Sequence, residues 1–145
     1  MTHSPDKLTE IWNDVVYLRS AEFGIQLNLA LIHLVSTQVD YVRPAYRHLW
    51  SEEHPNFGLC YPISEYLHHR LQKLAQPQIL PTLEGFHRYL SLSLLFPGEA
   101  PLDLAQDAEY DYAQGKGKSF MTPYLSKRGQ LLKVRLEQNF ATMEQ

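Results

Sequence analysis

From Phe23 to Val39 the chain carries no Asp, Glu, Lys or Arg, and Glu22 and Asp40 close this stretch at either end. Ile25, Leu27, Leu29, Leu31, Ile32, Leu34 and Val35 fall on every side of a helical projection. A helix that is apolar all round belongs inside a protein, surrounded by other elements. It falls short of the roughly 20 apolar residues that cross a bilayer. Gln26, Asn28, His33, Ser36, Thr37 and Gln38 interrupt it as well. The rest of the chain must therefore wrap it. The sequence has 145 residues, 44% of them hydrophobic and 20% charged. That is one domain's worth of ordinary globular composition, and residues 1–145 are expected to form a single unit.

The wrapping elements read as helices. Leu8, Ile11, Trp12, Val15 and Leu18 share one face, and Ser4 followed by Pro5 is a helix-start signal. Pro44 stops the central helix and opens a short one to Trp50. His54–Pro62 holds two prolines and a glycine and reads as a loop. Pro62 then opens a helix with Ile63, Leu67, Leu71 and Leu74 on one side. Pro77 and Pro81 mark a turn, and Leu83, Phe86, Leu90 and Leu94 form the next helical stripe. Residues 101–114 make a weaker helix, broken by Gly115 and Gly117. Thr122 and Pro123 start a last helix whose stripe is Leu125, Leu132, Leu136 and Phe140. With no convincing period-two alternation, the expected fold class is all-α. It is a single-domain bundle of five to seven helices with short Pro/Gly connections.

Charge is segregated near the C-terminus. Glu99, Asp103, Asp107, Glu109 and Asp111 are followed by Lys116, Lys118, Lys127, Arg128, Lys133 and Arg135. Lys116, Lys118, Lys127, Arg128 and Arg135 are candidate nucleic-acid or anion contacts, with the backbone around Gly115 and Gly117 as a phosphate cradle. Alternatively an acidic and a basic helix lie side by side and neutralise each other. The glycine turn is not a P-loop, because Tyr112 stands where that motif needs glycine. The acidic stretch is not an EF-hand, since Tyr112 and Lys118 occupy its glycine and glutamate positions. A net charge of −3 offers no whole-molecule attraction to nucleic acid.

Two Glu-x-x-His pairs, Glu65/His68 and Glu84/His87, have the spacing that carboxylate-bridged metal bundles use. Only His87, with Glu84 at the edge, lies near its own apolar stripe, so Glu84 and His87 are the candidate metal ligands. The competing expectation is a buried, hydrogen-bonded His87 and a solvated His68–His69. Cys60 is the single cysteine, which excludes an internal disulfide and suits a reducing compartment. His54 is near it in sequence only, so it reads as an ordinary thiol. The motifs Gly-x-Ser-x-Gly, His-Glu-x-x-His and Cys-x-x-Cys are absent. No basic-then-apolar leader is visible. The resulting expectation is a cytoplasmic, non-catalytic helical interaction module. It would act as an adaptor, regulator or assembly subunit, with another protein as partner and neither cofactor nor membrane. The alternatives are an accessory subunit on RNA or DNA, and a metal- or cofactor-binding protein.

Overall fold

The computed structural model describes residues 4–83 and 85–144, of which 139–144 by backbone alone. Among the described residues it is a mixed α/β protein, 47% helical with a three-stranded antiparallel sheet, which overturns the all-α expectation. The helices are α1 (Pro5–Leu18), α2 (Ala21–Thr37), α3 (Cys60–Arg70) and α4 (Lys127–Glu144). The strands are β1 (Gln76–Thr82), β2 (Gly85–Ser91) and β3 (Lys116–Gly117), in the order β2-β1-β3.

α1 follows its sequence pattern, but α2 ends at Thr37, short of Pro44, and is not wrapped on every side, since Ile25 and Leu29 are exposed. Ser4 caps α1 through its hydroxyl and Ser20 caps α2, so the break falls at Arg19–Ser20 and Gly24 lies inside α2. Ile11, Val15 and Leu18 of α1 meet Phe23, Leu27, Ala30, Leu31 and Leu34 of α2 in one core, which α3 and α4 complete with Ile63, Leu67, Leu132 and Leu136. Arg70 of α3 forks onto Asp14 of α1, with its nearest contact at 2.7 Å. Pro44–Leu49 is a 3-10 turn. No helix among the described residues is long and apolar enough to cross a membrane.

The sheet replaces the turn and helix expected over residues 76–96. Two prolines in a central strand contradict ordinary strand chemistry, because proline cannot donate to a ladder. Here the geometry resolves the conflict. In an antiparallel strand the N–H and C=O of one residue face the same edge. Lys118 N–H donates to Pro77 O at 3.1 Å, so Pro77 faces β3, and Pro81, four residues on, faces the same way. The missing donors point toward a partner strand only two residues long. Gln76, Gln78, Leu80 and Thr82 keep their N–H groups for β2, paired from Gln76↔Ser91 to Thr82↔Gly85.

Other boundaries also move. Residues 101–114 form no helix beyond a 3-10 turn at Tyr112–Gln114, and Leu102 instead pairs with Leu90 on the free edge of β2. The last helix begins at Lys127 rather than at Pro123, with Ser126 as its cap: its hydroxyl accepts the Gly129 N–H at 3.2 Å. Phe140 lies outside the described side chains.

Candidate active site

α3 lies between β2 and α4 and begins at Cys60. Pro62 in its first turn costs nothing, because that turn has no intrahelical donors to lose. The loop before it packs tightly: Gly58 has φ +79°, and a Cβ there would stand 2.9 Å from Tyr46 O. Only glycine tolerates both demands. The backbone thus delivers Cys60 to the helix N-terminus at the edge of a cleft of about 730 Å³.

His87 enters from β2. It is buried at 3% exposure and hydrogen-bonded through one ring nitrogen. Nε2 lies 2.6 Å from Asp103 Oδ2. Cys60 lines the same cleft as His87, and because Asp103 takes Nε2, Nδ1 is the ring nitrogen left over on that side. The Tyr110 ring covers the imidazole, with centroids 4.2 Å apart and planes inclined by 14°. Burial alone would lower the His87 pKa. The bond to Asp103, with Cys60 acting in the same sense, outweighs it and holds the imidazole up at about 9, so His87 is an imidazolium at neutral pH.

Asp103 reaches His87 because Leu102 is pinned to Leu90 by two backbone bonds of 3.1 and 2.8 Å. Its carboxylate also accepts Tyr112 Oη–H at 2.8 Å and Ala105 N–H at 3.2 Å. Asn56 donates to Leu104 O at 2.6 Å, tying the loop before Cys60 to the segment that bears Asp103. Cys60, His87 and Asp103 thus form a chain running from a helix N-terminus through a strand to a pinned loop, with the sulfur end open to the cleft.

The residues singled out in the sequence scatter. Lys116 and Lys118 are exposed on and beside β3, and Lys127 is exposed at the start of α4. Arg128 lines the cleft and donates to Tyr41 O at 2.9 Å, and Arg135 sits a further two turns along α4 with a buried, unpartnered Nε. They form no single stripe. The acidic stretch does not neutralise them either: Glu99 pairs with Arg19 at 2.6 Å, Asp103 with His87, and Asp107 with Tyr110. Glu84 lies outside the described residues. Among those residues no group of three His, Cys, Asp or Glu is placed to hold a metal ion.

Glu65 is not solvated. It is buried at 3% exposure and accepts Ser126 N–H at 2.9 Å and Ser126 Oγ–H at 2.6 Å. His68 is half-buried with its ring 5.4 Å from Phe120, and burial, with Lys73 and His69 nearby, lowers its pKa.

Sequence reasoning missed Cys60 and Asp103. His54, the nearest histidine in sequence, stacks on Phe57 instead. No alternation in the sequence marks β2: of the run Leu90-Ser91-Leu92-Ser93-Leu94 only Leu90 and Ser91 lie in the strand. The chain matches no known family model, no curated protein and no solved structure.

Proposed function

We propose that the protein is a thiol-dependent acyl hydrolase or acyltransferase, with Cys60 as nucleophile, His87 as acid–base and Asp103 as the group that orients His87. The observation that carries this is His87 itself, held on Nε2 by a buried carboxylate and lining the same cleft as the Cys60 thiol. A nucleophile, a base within reach and a third group holding the base recur on unrelated folds that break acyl bonds.

In the reactive form the sulfur is a thiolate and His87 an imidazolium. The thiolate adds to the substrate carbonyl, and the carbonyl π pair moves to oxygen. The N–H groups of Cys60 and Tyr61, in the open first turn of α3, are the nearest donors for that oxyanion. Collapse re-forms the carbonyl and expels the leaving group, which takes the His87 proton, and Cys60 is left as a thioester. Water or an amine then attacks the thioester. His87 removes its proton, and the acyl product leaves as Cys60 returns to thiolate. Asp103 keeps Nε2 engaged throughout, so Nδ1 stays aimed at the sulfur. A free catalytic thiol suits a reducing compartment such as the cytoplasm.

This reading has a named site, which the non-catalytic interaction module expected from the sequence lacks. The test is Cys60 reactivity. With iodoacetamide at neutral pH, Cys60 should alkylate faster than free cysteine, and p-nitrophenyl acetate should leave an acetyl group on Cys60 detectable by mass spectrometry. A Cys60 no faster than free cysteine and indifferent to His87→Ala would overturn it.

A further inference from the structure

The cleft that opens on Cys60 has an unbalanced charge. Among the described residues Arg43, Arg88 and Arg128 line it, against a single carboxylate, Asp107. Asp107 is engaged by Tyr110 Oη–H. Arg88 is also committed: its guanidinium lies 5.2 Å from the Tyr61 ring centroid and 5.7 Å from that of Phe120, and it donates to Lys118 O at 3.2 Å. Arg43 and Arg128 differ. Among the described residues neither has a carboxylate within ion-pair distance, and the nearest acid in sequence to Arg43, Asp40, is taken by Arg47 at 3.2 Å. Arg128 spends one Nη on Tyr41 O and keeps the rest of its fork. Burial lowers its pKa, and Arg43 lowers it further, while Tyr41, Cys60 and the Glu65 carboxylate, itself bonded to Ser126, only partly offset them. Two guanidinium groups therefore line the cleft that Cys60 lines, in a protein whose net charge is −3. Holding like charges together without a counter-ion is unfavourable, and a bound anion relieves it.

We infer that the substrate acylating Cys60 carries a carboxylate, held by the paired guanidinium groups of Arg43 and Arg128 at the mouth of the cleft. A carboxylate matches the guanidinium fork in plane and spacing. Ile79, Pro81 and Phe86 give the same cleft an apolar lining that suits a short hydrocarbon or peptide segment between carboxylate and reacting carbonyl. This inference rests on the thiol chemistry proposed above.

Iodoacetate and iodoacetamide separate the two claims, since they differ in a carboxylate and attack the same sulfur. The measured quantity is the ratio of their Cys60 alkylation rates, divided by the same ratio for free cysteine. In the wild type it should exceed unity by about tenfold or more at low salt and shrink as salt rises. Arg43→Gln and Arg128→Gln should each cut it about threefold or more, leaving the residue due to His87. Arg43 is exposed, so its variant keeps the test alive if loss of the Arg128–Tyr41 bond impairs folding. A fast-reacting Cys60 whose ratio ignores Arg43→Gln overturns the carboxylate inference alone. A Cys60 no faster than free cysteine toward iodoacetamide overturns the thiol chemistry and this inference with it.

Discussion

Two carboxylates are buried on either side of α3, and the protein uses them differently. Glu65, on α3 itself, turns toward α4. It accepts the Ser126 N–H and hydroxyl while Ser126 Oγ accepts the Gly129 N–H, so the acid completes the N-terminus of α4. Every bond in that cluster stays inside the fold. Asp103, on a loop, turns toward β2. Oδ1 takes Ala105, and Oδ2, shared with Tyr112, takes His87, which lines the cleft together with Cys60. A buried acid whose bonds close on themselves is a fastener. One whose bonds lead outward to a nucleophile is a working part. The two predict opposite outcomes under mutation.

The largest effect should fall on the open chain. His87→Ala should slow alkylation or acylation of Cys60 by roughly 10²–10⁴-fold, the usual range for losing a positioned acid–base. The rate is read by mass spectrometry on folded protein. Asp103→Asn should cost less, on the order of 10–10²-fold, because His87 remains but its orientation and charge lose support. Glu65→Gln should do the reverse. It should leave Cys60 reactivity within about twofold of wild type and cost about 1–3 kcal/mol in denaturant unfolding, since a charged cap and its bonds are weakened. If Glu65→Gln silenced Cys60 while Asp103→Asn only destabilised, the contrast would be inverted and the active-site assignment lost.

The pH dependence sharpens the same contrast. His87 is held at about 9 in the folded protein, against an ordinary 6.5. A raised pKa means that the folded state binds its proton more tightly than the unfolded state. The stabilisation is fully present below pH 6.5 and drains away as pH rises through 9. Over that window the wild type should lose up to about 3 kcal/mol, and His87→Gln should flatten the loss. Acyl transfer should decline over the same upper limb, as the proton needed by the leaving group disappears. Equilibrium unfolding at pH 6, 7.5 and 9 checks the first claim.

The closed cluster has a steric signature too. A Cβ at Gly129 would collide with the Glu65 carboxylate. Gly129 is helical and has no need of positive φ, so the space alone demands glycine. Gly129→Ala should cost about 1–3 kcal/mol by overpacking, although alanine is the better helix former. In the Glu65→Ala background the same change should cost far less, and a double-mutant cycle in thermal unfolding measures the difference.

What the sequence made legible follows the same division. The helices α1 and α2 are local: serine caps and apolar spacing determine them, and both form, although α2 stops short of Pro44. The sheet is not local. β1 carries two prolines whose compatibility depends on which edge faces β3, information that exists only once the strands are paired. β2 hid behind Leu83, Phe86, Leu90 and Leu94, whose spacing suits a helix as well, and the exposure of Leu83, Phe86 and Leu94 removes that stripe. Of the site, His87 stood out as a buried, bonded histidine. Its partners are 27 residues before it and 16 after it, brought together by a sheet edge that periodicity cannot register.

The smallest expected effect concerns Lys116 and Lys118. They sit at β3, the outer strand of the sheet, with their side chains exposed. An outer strand presents unpaired backbone groups that invite pairing with a second chain, and lysine is a common guard against it. Lys116→Thr/Lys118→Thr should therefore shift unfolding by no more than about 0.5 kcal/mol. It should raise self-association at high protein concentration, seen as a larger mean mass by light scattering, because the guard acts between molecules rather than within one. Cys60 reactivity should not change, since neither lysine lines the cleft. A variant that stays monomeric at every concentration would mean that the brevity of β3, rather than its charge, protects this edge.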